Sequence, residues 1–188
     1  MKERITEQSI RLFEKKGFSE TSIQDIVDSL GVTKGTFYYY FSSKEELLMD
    51  IHQGYIDELL TQQDGIFKDG TKSCKEKLLE IVFMILRDIE SRGSAAKIFF
   101  RELKNLNAER FALIDTKRDQ FRFNIETLIK TGMDNGEFRQ DLNASIIAFG
   151  ILGITNWSFH WFKPDGSCSE REVAEIFVDM ILKGIQVS

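Results

Sequence analysis

GFSETSIQDIVDSLGVTKGTFYYYFSSKEEL, residues 17–47, is the stretch on which the fold turns. Gly17 follows Lys15 and Lys16, so a glycine stop sits behind cations on the negative end of a helix. Upstream, residues 3–16 read as that helix, with Ile5, Ser9, Leu12 and Phe13 along one face. Downstream, Thr21 or Ser22 caps a second helix, and Gln24 or Asp25 answers the cap. Ile23, Ile26, Val27 and Leu30 form its buried stripe, and Gly31 ends it. Thr33 then caps a short third helix, Lys34–Phe41. Ser43 opens a fourth, over 44–60, with Glu45 and Glu46 in its first turn.

Two short helices joined by a glycine-containing turn form the helix-turn-helix pattern. The second of them, KGTFYYYF, crowds a cation, a glycine and hydroxyls into its opening turn. Phe37 and Phe41, four apart, face inward, leaving Thr36, Tyr38, Tyr39 and Tyr40 available outward. A helix of this kind enters a major groove N-terminus first, and Gly35 lets the backbone come close. For Tyr38, contact with a partner and half-buried packing stay open alternatives.

The same run resembles the DNA-binding signature of the tetracycline-repressor (TetR) family. The resemblance implies a three-helix DNA-binding head on a ligand-binding body, acting as a homodimer on a palindromic double-stranded operator. By position it implies that Thr33, Lys34, Gly35 and Thr36 read bases and phosphates, with Tyr39 and Tyr40 following on the exposed side. Thr21 and Lys44 take phosphate roles. Tyr40 stands where the family often has histidine.

The rest of the chain is compatible with that reading. Of its 188 residues, 42% are hydrophobic and 29% charged, and 16 are Phe, which is enough apolar mass to offset chain entropy. Pro164 is the single proline, so long stretches lack the strongest helix breaker. The net charge of −5 at first argues against DNA, but residues 1–45 carry as many basic as acidic groups. The acidic excess lies in the body, and the local balance is what matters to a polyanion. Cys74 and Cys168 have no metal-type spacing, so thiols in a reducing cytoplasm are expected and a metal or cofactor is not. The charged, amphipathic start is not a secretory leader, and no apolar run is long enough for a membrane span.

The expected architecture is all-α with about nine helices: residues 1–46 as the DNA-binding domain and 47–188 as the ligand-binding and dimerisation domain. The polar stretch 61–73 reads as a loop or frayed end. Helices follow at about 74–91, 94–104, 108–133, 143–161 and 169–186, with a turn around Pro164, Asp165 and Gly166. The resemblance makes the last two helices a dimer interface. Val173, Ile176, Phe177, Met180, Ile181 and Ile185 recur at helical spacing, and Ile147, Gly150 and Ile154 stand on the preceding helix.

That preceding helix and its loop, FGILGITNWSFHWFKPDG, are similar to TetR-type regulators of fatty-acid, sterol and other acyl-CoA metabolism. Asn156 and His160 are polar residues one turn apart in an apolar helix, calling for a ligand or an interhelical partner. The expected apolar pocket draws on Phe83, Phe99, Phe100, Leu103, Phe121, Phe149, Leu152, Asn156, Trp157 and His160. Arg101, Lys104, Arg118 and Arg122 are candidates for coenzyme A phosphates, against plain solvated faces. A rival sensor would bind cationic drugs with a carboxylate from Asp88, Glu90, Glu102 or Glu126. An enzyme acting on an acyl-CoA finds no nucleophile–base spacing, since His52 and His160 are the only histidines. A ligand-free architectural protein leaves a Phe-rich acidic body unexplained.

Overall fold

The computed structural model describes residues 1–163 and 165–185, without the side chains of Glu90 and Ile185. Pro164 of the expected turn, Ile185 of the expected stripe, the Glu90 carboxylate and the end of the last helix at 186 therefore lie outside the described residues. The chain is all-α: α1 (Lys2–Lys16), α2 (Ile23–Leu30), α3 (Lys34–Tyr40), α4 (Lys44–Lys68), α5 (Cys74–Arg101), a 3-10 turn (Leu103–Asn105), α6 (Ala108–Asp134), α7 (Ala144–Trp161) and α8 (Glu170–Ile185). No β-strand occurs among the described residues.

Two compact units emerge, one of residues 1–57 with 92–116, the other of 58–91 with 117–188. This division differs from a cut at 46, because α4, α5 and α6 each run from one unit into the other. In the first unit, α1, α2 and α3 close over Ile5, Phe13, Phe18, Ile26, Val27, Phe37 and Phe41, with Leu47, Leu48 and Ile51 of α4 beneath. Phe13 and Phe18 meet edge to face at 5.2 Å, so the residue after the α1 stop folds back onto the helix it ended. The second half of α5 holds α1 from the same unit. Glu14 accepts from Ser94 Oγ and from Lys97 Nζ at 2.8 Å, and Arg101 Nη2 donates to the Phe13 carbonyl at 2.6 Å.

One departure from the expected elements has a tertiary cause. Helix α4 continues through the polar run to Lys68, because the fully buried Gln63 finds partners. Its Nε2 donates to the Phe121 carbonyl at 3.0 Å and its Oε1 accepts from Asn124 at 2.7 Å, a use of glutamine no local signal announces. The expected break between helices 74–91 and 94–104 falls at Arg92, whose φ of −132° and ψ of 31° leave the helical region and kink α5 there. In the second unit, Glu137 caps α5 from across the fold, its carboxylate accepting from the Cys74 and Lys75 amides at 3.1 Å. Burial and that carboxylate push the Cys74 thiol up to about 11, so it stays protonated and inert. A Cβ on Gly132 would lie 2.2 Å from the Phe138 ring, so only glycine admits that buried side chain.

Candidate nucleic-acid interface

The head is assembled by caps. Ser22 Oγ accepts from the Asp25 amide at 3.0 Å while the Asp25 carboxylate accepts from the Ser22 amide at 2.8 Å, a reciprocal capping box. The Ser22 hydroxyl, which donates to the same carboxylate at 2.6 Å, then the Ser22 amide, and Lys16 at 3.1 Å hold the Asp25 carboxyl far below the ordinary carboxylate range. Gly31, with φ 65°, closes α2 in the left-handed conformation that a side chain would resist. Thr33 Oγ1 accepts from the Thr36 amide at 3.3 Å and starts α3. At the next start, Ser43 Oγ accepts from the Glu46 amide at 3.1 Å, and Ser42 donates its amide to Glu46 at 2.7 Å.

Within α3, Phe37 is fully buried and tilts against Phe41 at 5.8 Å, just past the helix end. That pair turns the other side of the helix outward. Thr33, Lys34 and Gly35 are exposed, Thr36 and Tyr40 half-buried, Tyr38 exposed with its ring edge on Phe37, and Tyr39 is 80% exposed. Tyr38 therefore takes the outward position of the two left open for it. Gly35 has no internal reason to be glycine: an added Cβ would meet only Thr33 Oγ1, at an ordinary 3.5 Å.

Two residues expected at phosphates turn inward instead. Thr21 is fully buried, and its hydroxyl donates to the Gly17 carbonyl at 2.8 Å. Lys44 donates to the Phe18 and Thr21 carbonyls, both at 2.7 Å, and to that of Ser19 at 3.5 Å. Residue type alone suggested contact with an anion; the α1–α2 turn supplies both groups with backbone partners, Thr21 from within the turn and Lys44 from the start of α4.

The ten expected ligand residues are distributed over both units. Phe99, Phe100 and Leu103 belong to the first, where Phe99 packs on the Tyr55 ring at 4.8 Å and on His52 at 5.4 Å. Phe83, Phe121, Phe149, Leu152, Asn156, Trp157 and His160 belong to the second. Phe121 is buried and Leu152 and Asn156 are half-buried, but Trp157 is 63% exposed and Phe149 and His160 are exposed too. Phe83 borders a surface cleft of about 320 Å³ with Gln62, Lys72, Met84 and Arg87. Among the expected phosphate cations, Arg101 pairs with Glu102 at 2.8 Å, and Arg122 pairs with Glu126 at 3.2 Å and lies over the Phe149 ring.

The expected dimer stripe splits into two faces. Val173 is buried within the subunit beside Ala174 and Val178, which line the inward side of α8. Ile176, at 58%, and Met180 stand outward, with Phe177 and Ile181 half-buried between. On α7, Ile146, Phe149, Gly150, Gly153, Trp157 and Trp161 are exposed, while Ile147 and Ile154 are half-buried. Ile146 and Trp161 escaped the sequence reading of this surface, and the quoted stripe held Val173 and Ile176 together; period alone does not tell an inward from an outward apolar face.

Comparison with known proteins agrees with the geometry. Residues 5–51 match the family model described as bacterial regulatory proteins, tetR family, and residues 71–185 match the tetracyclin repressor-like C-terminal domain. The chain is 31% identical over 176 residues to the HTH-type transcriptional repressor KstR2 of Rhodococcus jostii, covering 93% of this chain and 85% of that one. The structure of the ketosteroid transcriptional regulator KstR2 of Mycobacterium tuberculosis superposes with a TM-score of 0.88 at 26% identity, covering 100% and 95% of the two chains. AibR in complex with isovaleryl coenzyme A and operator DNA superposes with a TM-score of 0.85 at 25% identity, covering 95% and 96%.

Proposed function

Because this chain belongs to the tetR family of bacterial regulatory proteins, we propose that it is a repressor that holds a palindromic operator as a homodimer and leaves it on taking up a small hydrophobic effector. The observation that carries the DNA reading is the outward set Thr33, Lys34, Gly35, Thr36, Tyr38 and Tyr39 on a helix held from behind by Phe37 and Phe41. Lys34 answers phosphate, and the hydroxyls offer donors and acceptors to base edges. A DNA partner makes the cytoplasm the working compartment.

Two recognition helices must stand about 34–36 Å apart to enter successive major grooves. The dimer is therefore part of the reading, and Ile146, Phe149, Trp157, Trp161, Ile176 and Met180 are the surface we assign to the twin. An apolar face of this extent is costly to leave in water, and Gly150 and Gly153 leave room for close helix approach. Asn156, Trp157 and His160 share that helix, so an effector touching them would be shared with the twin.

For the effector we infer a long-chain acyl-CoA. The likeness to AibR with isovaleryl coenzyme A supports a thioester, and the likeness to a ketosteroid regulator supports a bulky apolar group. A cationic drug is less well matched, because Glu102 and Glu126 already face Arg101, Arg122 and Lys130. Effector binding acts through α4, which runs unbroken between the two units, and shifts the population off DNA by its differential affinity for the two states.

The test is selection of bound fragments from genomic DNA, followed by titration of the complex with a long-chain acyl-CoA, the free acid and a ketosteroid. Enrichment of a palindrome and release by the thioester at micromolar concentration are expected. Enrichment of no sequence would remove the operator reading. Equal effects of thioester and acid would remove the acyl-CoA, and release by the ketosteroid alone would move the effector to that class.

A further inference from the structure

Lys44 is the first residue of α4, and its ammonium meets the carbonyls of Phe18 and Thr21 at 2.7 Å each and of Ser19 at 3.5 Å. It also lies 4.4 Å above the Phe18 ring, which is itself buried. An ammonium has three donors, and here all three are directed at one turn of the chain. The same turn takes the Thr21 hydroxyl on the Gly17 carbonyl. Residues 17–21 thus form no helix of their own, yet the carbonyls of Gly17, Phe18, Ser19 and Thr21 all receive donors, three of them from one lysine. The turn decides where Ser22 begins α2, and α2 with Gly31 decides where α3 points.

We propose that Lys44 is a positioning residue, a tie between the start of α4 and the α1–α2 turn that sets the aim of α3, rather than a phosphate ligand. The proposal rests on the DNA-binding reading above and assigns one residue within it. It makes α4 rigid with the reading head at its first turn, so a displacement of α4 carries the head with it.

Salt dependence separates a tie from a phosphate contact. Each phosphate neutralised contributes about −0.9 to the slope of log affinity against log salt. Binding of the full-length protein and its Lys44→Met variant to a labelled mixed-sequence duplex is measured over a range of salt, with Lys34→Ala as the contact control. Lys44→Met is expected to bind about tenfold more weakly, the scale of a lost charge-assisted hydrogen bond, at an unchanged slope. Lys34→Ala is expected to lose about one unit of slope. A slope reduced by about one in Lys44→Met would overturn the tie.

Lysine acylation of the wild-type protein, read by mass spectrometry, needs no variant to fold. Lys44 is expected to label far more slowly than Lys34 without DNA, and DNA is expected to protect Lys34 while leaving Lys44 as it was. Rapid labelling of Lys44 that DNA suppresses would overturn the proposal. Failure of the wild type to bind any duplex would count against the DNA reading instead, while slow labelling of Lys44 in the free protein would still uphold the tie to the turn.

Discussion

The outer side of α3 and the outer side of α7 and α8 both meet water in a single chain, and they are chemical opposites. One is seven residues long and presents a lysine, a glycine, a threonine and tyrosines. The other presents Ile146, Phe149, Trp157, Trp161, Ile176 and Met180 along two long helices. A helix as short as α3 is not stable alone, so every part of its order comes from caps and from the ring buried behind it. Helices α7 and α8 are long and bury an inward apolar face of their own, so their outward apolar residues answer something other than the subunit core. On the function proposed above, the contrast matches each face to its partner: polar groups held stiffly for a polyanion, and apolar mass for another apolar surface.

The hardest blow to the contrast falls on the pin. Phe37→Ala removes a fully buried ring and should cost about 3–5 kcal/mol, abolishing duplex binding while sedimentation still reports a dimer. Retained DNA affinity would mean that α3 does not depend on its buried side.

Next comes the apolar face. The double substitution Ile176→Glu and Met180→Glu should weaken self-association by about a hundredfold, near 2.7 kcal/mol. The monomer's melting should change little, since both side chains are exposed. An unaltered sedimentation profile would end the assignment of that face to a twin.

A third change acts inside the body and leaves both faces in place. Gly132→Ala drives a methyl into Phe138 and should cost about 1–3 kcal/mol, lowering the melting temperature measured by circular dichroism. Unchanged stability would show that Phe138 moves aside freely.

The smallest effect concerns acid. Hydrogen bonds from Ser22 lower Asp25, those from Ser42 lower Glu46, and Lys97 with Ser94 lowers Glu14. Carboxyls depressed in the folded state stabilise it above their ordinary values of 3.8 and 4.5, and that contribution is lost as pH falls through the lowered values. Amide protection factors in α1 and α2, taken against the intrinsic exchange rate at each pH, should fall below about pH 4, and Asp25→Asn should remove part of that response. A head whose protection is flat with pH would show that these caps carry no net free energy.

Read from sequence, the head was legible almost residue by residue. Ser22 with Asp25, Gly31, Thr33 and Ser43 act through bonds spanning three or four residues, so a single pass along the chain meets both partners. The inward turn of Phe37 and Phe41 follows from their spacing. The site was less legible at Lys44 and Thr21, which carry a phosphate-like signature: Thr21 closes on Gly17 within its own turn, and only the approach of α4 to residues 17–21 gave Lys44 its partners. The ligand residues were the least legible, since a Phe stripe looks the same whether it faces core, cleft or twin.

Sequence alone determined the all-α class, the order of the elements, the break between 91 and 94 and the outward face of α3, because caps, glycine stops and helical period are local and cheap to satisfy in only one way. Tertiary structure alone decided that α4 runs on to Lys68 over a buried Gln63, and that Val173 points in while Ile176 points out. The physical reason is range: a buried amide and the choice between two apolar faces depend on which distant segment arrives to complete them, and a chain read in order has not yet met that segment.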